Sequence, residues 1–318
     1  EHLFMTSSKI SIGGSYESQN KIPPSALTVQ GDISSSGNLY LPDTSEINFG
    51  TDSSYIHAST GDMEIRHIQG TYEAGIELDL PPNQTPDGRP GVSVLVFSMS
   101  SKELAKQILN RTGQCVMTSP TSSIFSGNKG EEKIPLGNAL RYFGDGFQIS
   151  KKLGEKRYWR IPVMDGEFIC EDFAYKMKGI GGGNFLILGN NIECVLYAAE
   201  IAVKKMNKLK NIILPFPGGI VRSGSKVGSK YKNLIASTNF EYCPSLTGVV
   251  KSKLDNKTKC VLEIVIDGIN EKDISSAMRH GILEIINSKS VKGINRISAG
   301  NYGGKLGPYL FKLKSVIS

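Results

Sequence analysis

The chain reads as an α/β protein of the sandwich kind, with helices laid over sheets in two related lobes and a short β-rich segment in front. Three observations predict this. Three times an apolar strand is followed by a segment of helical spacing and a second strand, first over 92–118, then over 185–215, then over 261–298. Each run breaks into a loop rich in Gly, Ser or Pro: Pro120 to Gly127, Pro217 to Gly224 and Ser298 to Gly307. The first two of these loops share an opening Pro, a central aliphatic residue and a closing Ser-Gly, which suggests two related halves.

The elements follow in order. Residues 1–73 are rich in Ser, Gly, Thr, Asn and Asp, with short apolar alternations such as Leu27-Thr28-Val29. Turn signals at Gly31-Asp32, Gly37-Asn38, Pro42-Asp43, Gly50-Thr51-Asp52 and Gly61-Asp62 separate them at the spacing of short strands. The stretch from Ala26 to Leu41 resembles repeats of phage tail fibres. From Ala74 the pattern changes. Val92 to Phe97 is a continuous apolar strand, Lys102 to Asn110 a helix, and Gln114 to Thr118 reads as a returning strand. Phe185 to Leu188, Glu193 to Leu209 and Ile212 to Pro215 repeat the plan, as do Val261 to Ile266, Glu271 to Ile286 and Ile294 to Ser298. A crossover of this type is right-handed and packs its helix on the sheet. Dense charge and a lapse of apolar periodicity over Lys151 to Arg160 mark a boundary between lobes, giving domains at 1–73, 74–155 and 156–318.

Composition narrows the function. With 39% hydrophobic and 21% charged residues among 318, the chain can bury an ordinary core. No apolar run approaches the roughly 20 residues that span a bilayer, so neither a membrane nor export is expected and the cytoplasm is. Five widely spaced cysteines, mostly in apolar stretches, read as reduced core residues. With the four histidines they form no metal-ligand spacing and no Cys-His pair. The net charge of +7 covers helix surfaces or attracts an anionic ligand. Aromatics interleaved with a basic stripe are missing, which argues against nucleic acid.

Four stretches could carry chemistry. Gly179 to Asn184 looks like a dinucleotide loop but precedes a strand instead of following one, so it reads as a close backbone approach or chain reversal. Ser223, Ser225 and Lys226, within a segment that runs to Lys230, offer hydroxyls, free amides and cations to an anion, or form a solvated loop. Asp87 and Arg89 lie in a turn fixed by prolines and glycines, where they either touch substrate or pair with each other. Glu263 interrupts the apolar run Cys260 to Ile266. A buried carboxyl there would keep its proton and could donate it to a developing oxyanion; otherwise the strand has one edge in water with Glu263 on it.

Seven segments in order then resemble formylmethanofuran:tetrahydromethanopterin formyltransferases over about 74–318. They are Thr85 to Gly91, Gly113 to Val116, Gly182 to Phe185, Pro215 to Val221, Ser223 to Lys226, Cys243 to Ser245 and Ile297 to Gly307. The resemblance implies a two-lobed sandwich, a homotetramer, and formyl transfer from the amine of methanofuran to a nitrogen of tetrahydromethanopterin, as in methanogenesis and other one-carbon metabolism. It implies no permanently bound cofactor; methanofuran and tetrahydromethanopterin are co-substrates. Glu263 falls on the glutamate that acts as a protonated acid, and Asp87, Arg89, Asn184, Ser223, Ser225, Lys226, Asn301, Tyr302 and Lys305 fall on segments expected to hold substrate. Members of the family begin with a strand and helix that complete the first lobe, where this chain has the β-rich residues 1–73. The alternative is therefore a non-catalytic fibre, attachment or fusion protein carrying an incomplete formyltransferase domain.

Overall fold

The computed structural model describes residues 72–318 apart from 128, 129, 131, 233, 235 and 301–307, and before them the backbone of five short strands. The chain divides into two units, Glu1–Gln69 and Gly70–Ser318. In the first, β1 (Ile10–Ile12) and β2 (Leu27–Val29) pair in parallel. An antiparallel meander joins β3 (Glu46–Asn48), β4 (Ser54–Ser59) and β5 (Asp62–His67). Short strands are what the sequence predicts there; most of the tail-fibre-like stretch Ala26 to Leu41 lies outside the described residues.

The second unit opens with an antiparallel pair, β6 (Tyr72–Leu80) and β7 (Gly91–Ser98), followed by α1 (Ser101–Arg111). The expected strand over Gln114 to Thr118 is not formed. Residues Thr112–Val116 continue the helix as one wide turn, with Met117 N donating to Thr112 O at 2.8 Å. The hydroxyls of Thr118 and Ser119 fold back on the Gln114 and Cys115 carbonyls at 2.8 Å each. A short apolar run such as Cys115-Val116-Met117 has no period that separates strand from helix, and these local hydrogen bonds decide it.

Next come β8 (Ser123–Ile124), β9 (Glu132–Pro135), a single turn α2 (Gly137–Leu140), and the strands β10 (Ile149–Leu153), β11 (Lys156–Val163), β12 (Gly166–Glu171) and β13 (Phe173–Lys176). They form a sheet ordered β10-β11-β12-β8 and a separate pair β13-β9. The charged stretch Lys151 to Arg160 is thus a hairpin within one sheet. It shows no apolar period because every residue of β10 is exposed, while Trp159, Ile161, Phe168 and Cys170 on β11 and β12 carry a small core.

The remaining chain builds the larger core. Strand β14 (Ile180–Gly189) leads to α3 (Ile192–Met206) and β15 (Ile212–Ile213), and after a hairpin of β16 (Ser225–Val227) and β17 (Ala236–Thr238) come β18 (Cys260–Gly268), α4 (Glu271–Asn287), β19 (Ile294–Ser298) and α5 (Leu313–Ile317). The sheet is antiparallel in the order β15-β18-β14-β19, a split βαβ arrangement in which each helix connects strands separated by one neighbour. Both helices start where an Asn side chain accepts from a third-residue amide, Asn191 from Cys194 N at 2.9 Å and Asn270 from Asp273 N at 3.0 Å.

Alternation along β14 and β18 sorts the two faces. Phe185, Ile187, Ile264 and Ile266 turn to α3 and α4, packing with Val195, Ala198, Ala202, Ile274, Met278 and Ile282. Each of the larger side chains among them stabilises the fold by about 1.5–3 kcal/mol on burial. Asn184, Leu186, Glu263, Val265 and Asp267 therefore share the other, helix-free face. That face turns towards β6 and β7. The site of a Cβ on Gly75 in β6 is 3.2 Å from the Ile213 side chain on β15, and Glu77 of β6 accepts from Asn211 N.

Candidate functional site

A cavity of about 1760 Å³ lies against the helix-free face of β14 and β18. Glu73, Phe97, Asp87, Arg89 and Ser123 line it from the first half, Asn184, Phe216, Val221, Ser223, Ser225 and Glu263 from the second. Six residues singled out from the sequence, far apart in the chain, are thereby brought to one space.

Glu263 sits at its wall. It lies on β18, between β14 and β15, and is only 4% exposed, so the reading of a strand edge in water does not hold. The alternation breaks because this strand is covered on both faces, by helices on one and by the opposite wall of the cavity on the other. Asn184 Nδ2 donates to Glu263 Oε1 at 2.5 Å from the neighbouring strand. The loop after Pro217 reaches the same residue: Val221 N donates to Glu263 O at 2.7 Å and Glu263 N to Val221 O at 2.9 Å. The loop is held to the sheet by main-chain hydrogen bonds at the residue whose side chain faces the cavity.

Gly179 to Asn184 is neither a phosphate loop nor a chain reversal. Ile180 onward is already strand, and the pairing of β14 with β18 shifts between Gly181 and Gly183. Gly182 has φ +100°, a conformation that side chains avoid, and it forms a bulge on the cavity wall.

Arg89 clasps two loops. Its Nε and Nη2 donate to Asp87 Oδ2 at 2.9 and 2.7 Å, Nη2 also to Ser123 Oγ at 2.7 Å, and Nη1 to Thr121 O. The pairing of Asp87 with Arg89 is present, and it ties the turn to the Pro120 to Gly127 loop. Ser223 and Ser225 line the cavity, and Ser225 begins the hairpin β16-β17, so the segment is more ordered than its composition suggests. Lys226 does not line it. Its ammonium donates to Gly228 O at 3.2 Å and lies over the Phe240 ring at 5.1 Å. Asn301, Tyr302 and Lys305 lie outside the described residues.

One residue escaped the sequence reading. Asp267, four positions beyond Glu263 on the same face of β18, is 1% exposed. Its Oδ1 accepts from Gly182 N at 3.0 Å, while its buried Oδ2 has no N–H or hydroxyl donor. Burial, and then the Glu73 carboxyl beside it, push its pKa up to about 9. The spacing from Glu263 was the available signal, and the Asp267-Gly268 pair, a common turn signature, competes with it. Burial also raises the thiols of Cys170, to about 12, and Cys260, as core cysteines require. Among the described residues no three His, Cys, Asp or Glu side chains are grouped to hold a metal, and no helix is long and apolar enough to cross a membrane.

Comparison with known proteins gives a consistent picture. Residues 56–163 match the family model described as formylmethanofuran-tetrahydromethanopterin formyltransferase, and residues 166–316 match that described as its proximal lobe. The chain is 58% identical over 246 residues to the enzyme of that name from Methylococcus capsulatus, covering 77% of this chain and 83% of the relative. It is 45% identical over 250 residues to that of Methanocaldococcus jannaschii, covering 77% and 82%. The structure resembles the formyltransferase/hydrolase complex of Methylorubrum extorquens, solved with methylofuran, at TM-score 0.75 and 47% identity over 78% of this chain and 82% of that one. It also resembles the formyltransferase of Methanosarcina barkeri, at TM-score 0.73 and 42% identity over 77% and 82%.

Proposed function

Because the chain belongs to the formylmethanofuran:tetrahydromethanopterin formyltransferases, we propose that it moves the formyl group across the cavity described above with Glu263 as its acid. The enzyme transfers a formyl group from formylmethanofuran to tetrahydromethanopterin, and these two are its co-substrates. The observation that carries the mechanism is the buried Glu263 carboxyl on the cavity wall.

In this reading the pterin nitrogen attacks the formyl carbon directly. The carbonyl π electrons move to oxygen, Glu263 donates a hydrogen bond or proton to that oxyanion, and collapse expels the methanofuran amine, which takes up the proton lost by the pterin nitrogen. No covalent bond to the protein is needed. Removal of a carboxyl from water disfavours its charged form, which supports a donor role for a side chain 4% exposed. One well-placed oxyanion donor contributes about 3–4 kcal/mol, and holding both substrates together removes much of the entropic barrier. Glu263→Ala should lower turnover at least about a hundredfold on that magnitude. In a formyl-transfer assay, activity within a few-fold of wild type would sink the assignment.

Asp87, Arg89, Asn184, Ser223 and Ser225 surround the cavity and are assigned to substrate contact on that placement. Arg89 acts largely by holding the two loops, since four of its N–H bonds are already used within the protein. Asn301, Tyr302 and Lys305 are assigned to the site on the strength of the resemblance, whereas Lys226, turned to Gly228 and Phe240, is not. The same reading extends to a homotetramer, a cytoplasmic location and, where the host makes methane, methanogenesis.

A further inference from the structure

Strands β6 and β18 meet at two carboxyls, Glu73 and Asp267, where the first half of the enzyme rests on the second. Asp267 is 1% exposed, and its Oδ2 is enclosed without any N–H or hydroxyl donor. The group that lies against it is the Glu73 carboxyl. Two carboxylates repel and cannot hydrogen-bond, whereas an acid and a carboxylate can. The other oxygen of Asp267 holds Gly182 N at 3.0 Å, at the bulge of β14. Two residues on, Asn184 reaches Glu263. A continuous path of hydrogen bonds and one strand therefore runs from Glu73 to the Glu263 carboxyl.

We propose that Glu73 and Asp267 share one proton, and that this singly charged acid–carboxylate pair is a strut joining the halves of the enzyme and positioning the Gly181–Gly183 bulge, with Asn184 and Glu263 behind it. Asp267 is then a positioning residue. The positioning role rests on the reading of Glu263 given above; the shared proton does not.

The surroundings leave Glu73 as the charge that acts on Asp267. On its own strand, Glu263 is bonded to Asn184. From β14 it meets the backbone of Gly181 and Gly182, and from β15 its partner Ile213, none of which titrates. On β6, Glu77 is turned to Asn211 N and to Ser93 Oγ. Strand β7 carries no ionisable side chain, and Lys210 lies at the cavity lining without entering the forces on Asp267. A carboxyl whose folded pKa stands at about 9, above its ordinary value of 3.8, binds its proton more tightly in the folded state. Its contribution to stability is complete below the ordinary value and is lost as pH rises through the folded one.

The test uses the full chain and Asp267→Asn, whose amide oxygen can keep Gly182 and whose NH2 can donate to Glu73 without a titrating proton. Denaturant unfolding of wild type and variant is followed from pH 5 to 8.5. The wild-type folding constant should fall relative to the variant by roughly tenfold per pH unit, the slope of one proton. Glu73→Gln, which removes the neighbouring charge without touching the buried strand, should flatten part of this slope. The infrared difference spectrum at pH 7 between wild type and Asp267→Asn should show the loss of one neutral carboxylic-acid carbonyl component, the contribution of Glu263 being common to both. A stability difference constant across the range, or an unchanged band, overturns the shared proton. Asp267→Ala should lower kcat at least tenfold with KM nearly unchanged, and Asp267→Asn should restore it; loss confined to KM overturns the positioning role. Failure of Glu263→Ala to slow the reaction would remove the acid while leaving the pH slope in place, so the two readings fail separately.

Discussion

Asn184 and Glu263 are diagonal neighbours on adjacent strands, and their contact gives the site its most local prediction. The amide donates to Glu263 Oε1 at 2.5 Å, and a hydrogen bond of this kind contributes on the order of 0.5–1.5 kcal/mol net. Asn184→Ala should lower kcat about tenfold, the upper end of that range, with little change in KM. Steady-state kinetics at saturating co-substrate would check it, and a change in KM alone would show that Asn184 acts in substrate contact without positioning Glu263. At this scale the sequence was uneven. Glu263 was legible because a carboxyl inside Val261-Leu262-Glu263-Ile264 has no place in a simple apolar strand. Asp267 was not, since a following glycine mimics a turn. Lys226 misled: a cation among serines and glycines looks free, but Gly228 and Phe240 occupy it, and those contacts cannot be seen in a linear pattern.

The elements of the larger core depend on small residues where strand meets helix. A Cβ on Gly183 would overlap Ile274 Cγ2, and one on Gly268 would approach Ile274 Cγ1 to 2.6 Å. Ile274 is β-branched and fully buried on α4, so it has little freedom to move away. Gly183→Ala should destabilise the fold by about 1–3 kcal/mol through overpacking, read as a lower denaturant midpoint at constant slope. Helix α4 was recoverable from the sequence nearly to the residue and α3 to within three residues at its end, since fifteen to seventeen residues with one apolar face leave a clear period. Strand β19 was recovered with its limits. The turn Thr112–Val116 was not, because five residues carry no period and hydroxyl-to-carbonyl hydrogen bonds settle the conformation.

At the scale of the molecule the two halves of the formyltransferase region are unequally covered. The sheet β15-β18-β14-β19 has both of its long helices, whereas β6 and β7 form a sheet of two strands and α1 buries no residue fully. Ile76, Val92 and Val94 are 65%, 53% and 52% exposed in consequence. Grouped apolar exposure of this kind promotes self-association. Replacing Ile76, which lies outside the cavity, with Thr should reduce concentration-dependent light scattering while moving stability by no more than about 0.5 kcal/mol, as for surface positions generally. The sequence foreshadowed this through the break in character near residue 73, but a composition shift says nothing of which strand faces go uncovered; that depends on strand order.

The two main-chain hydrogen bonds between Val221 and Glu263 also bear on how such an enzyme diversifies. Amide and carbonyl groups pair regardless of the side chains they carry. Mutations in the Pro217 to Gly224 loop can therefore accumulate one at a time and reshape what the cavity admits, while the acid stays registered to the sheet. Novelty in substrate preference and permanence in chemistry are assigned to different atoms of the same residues.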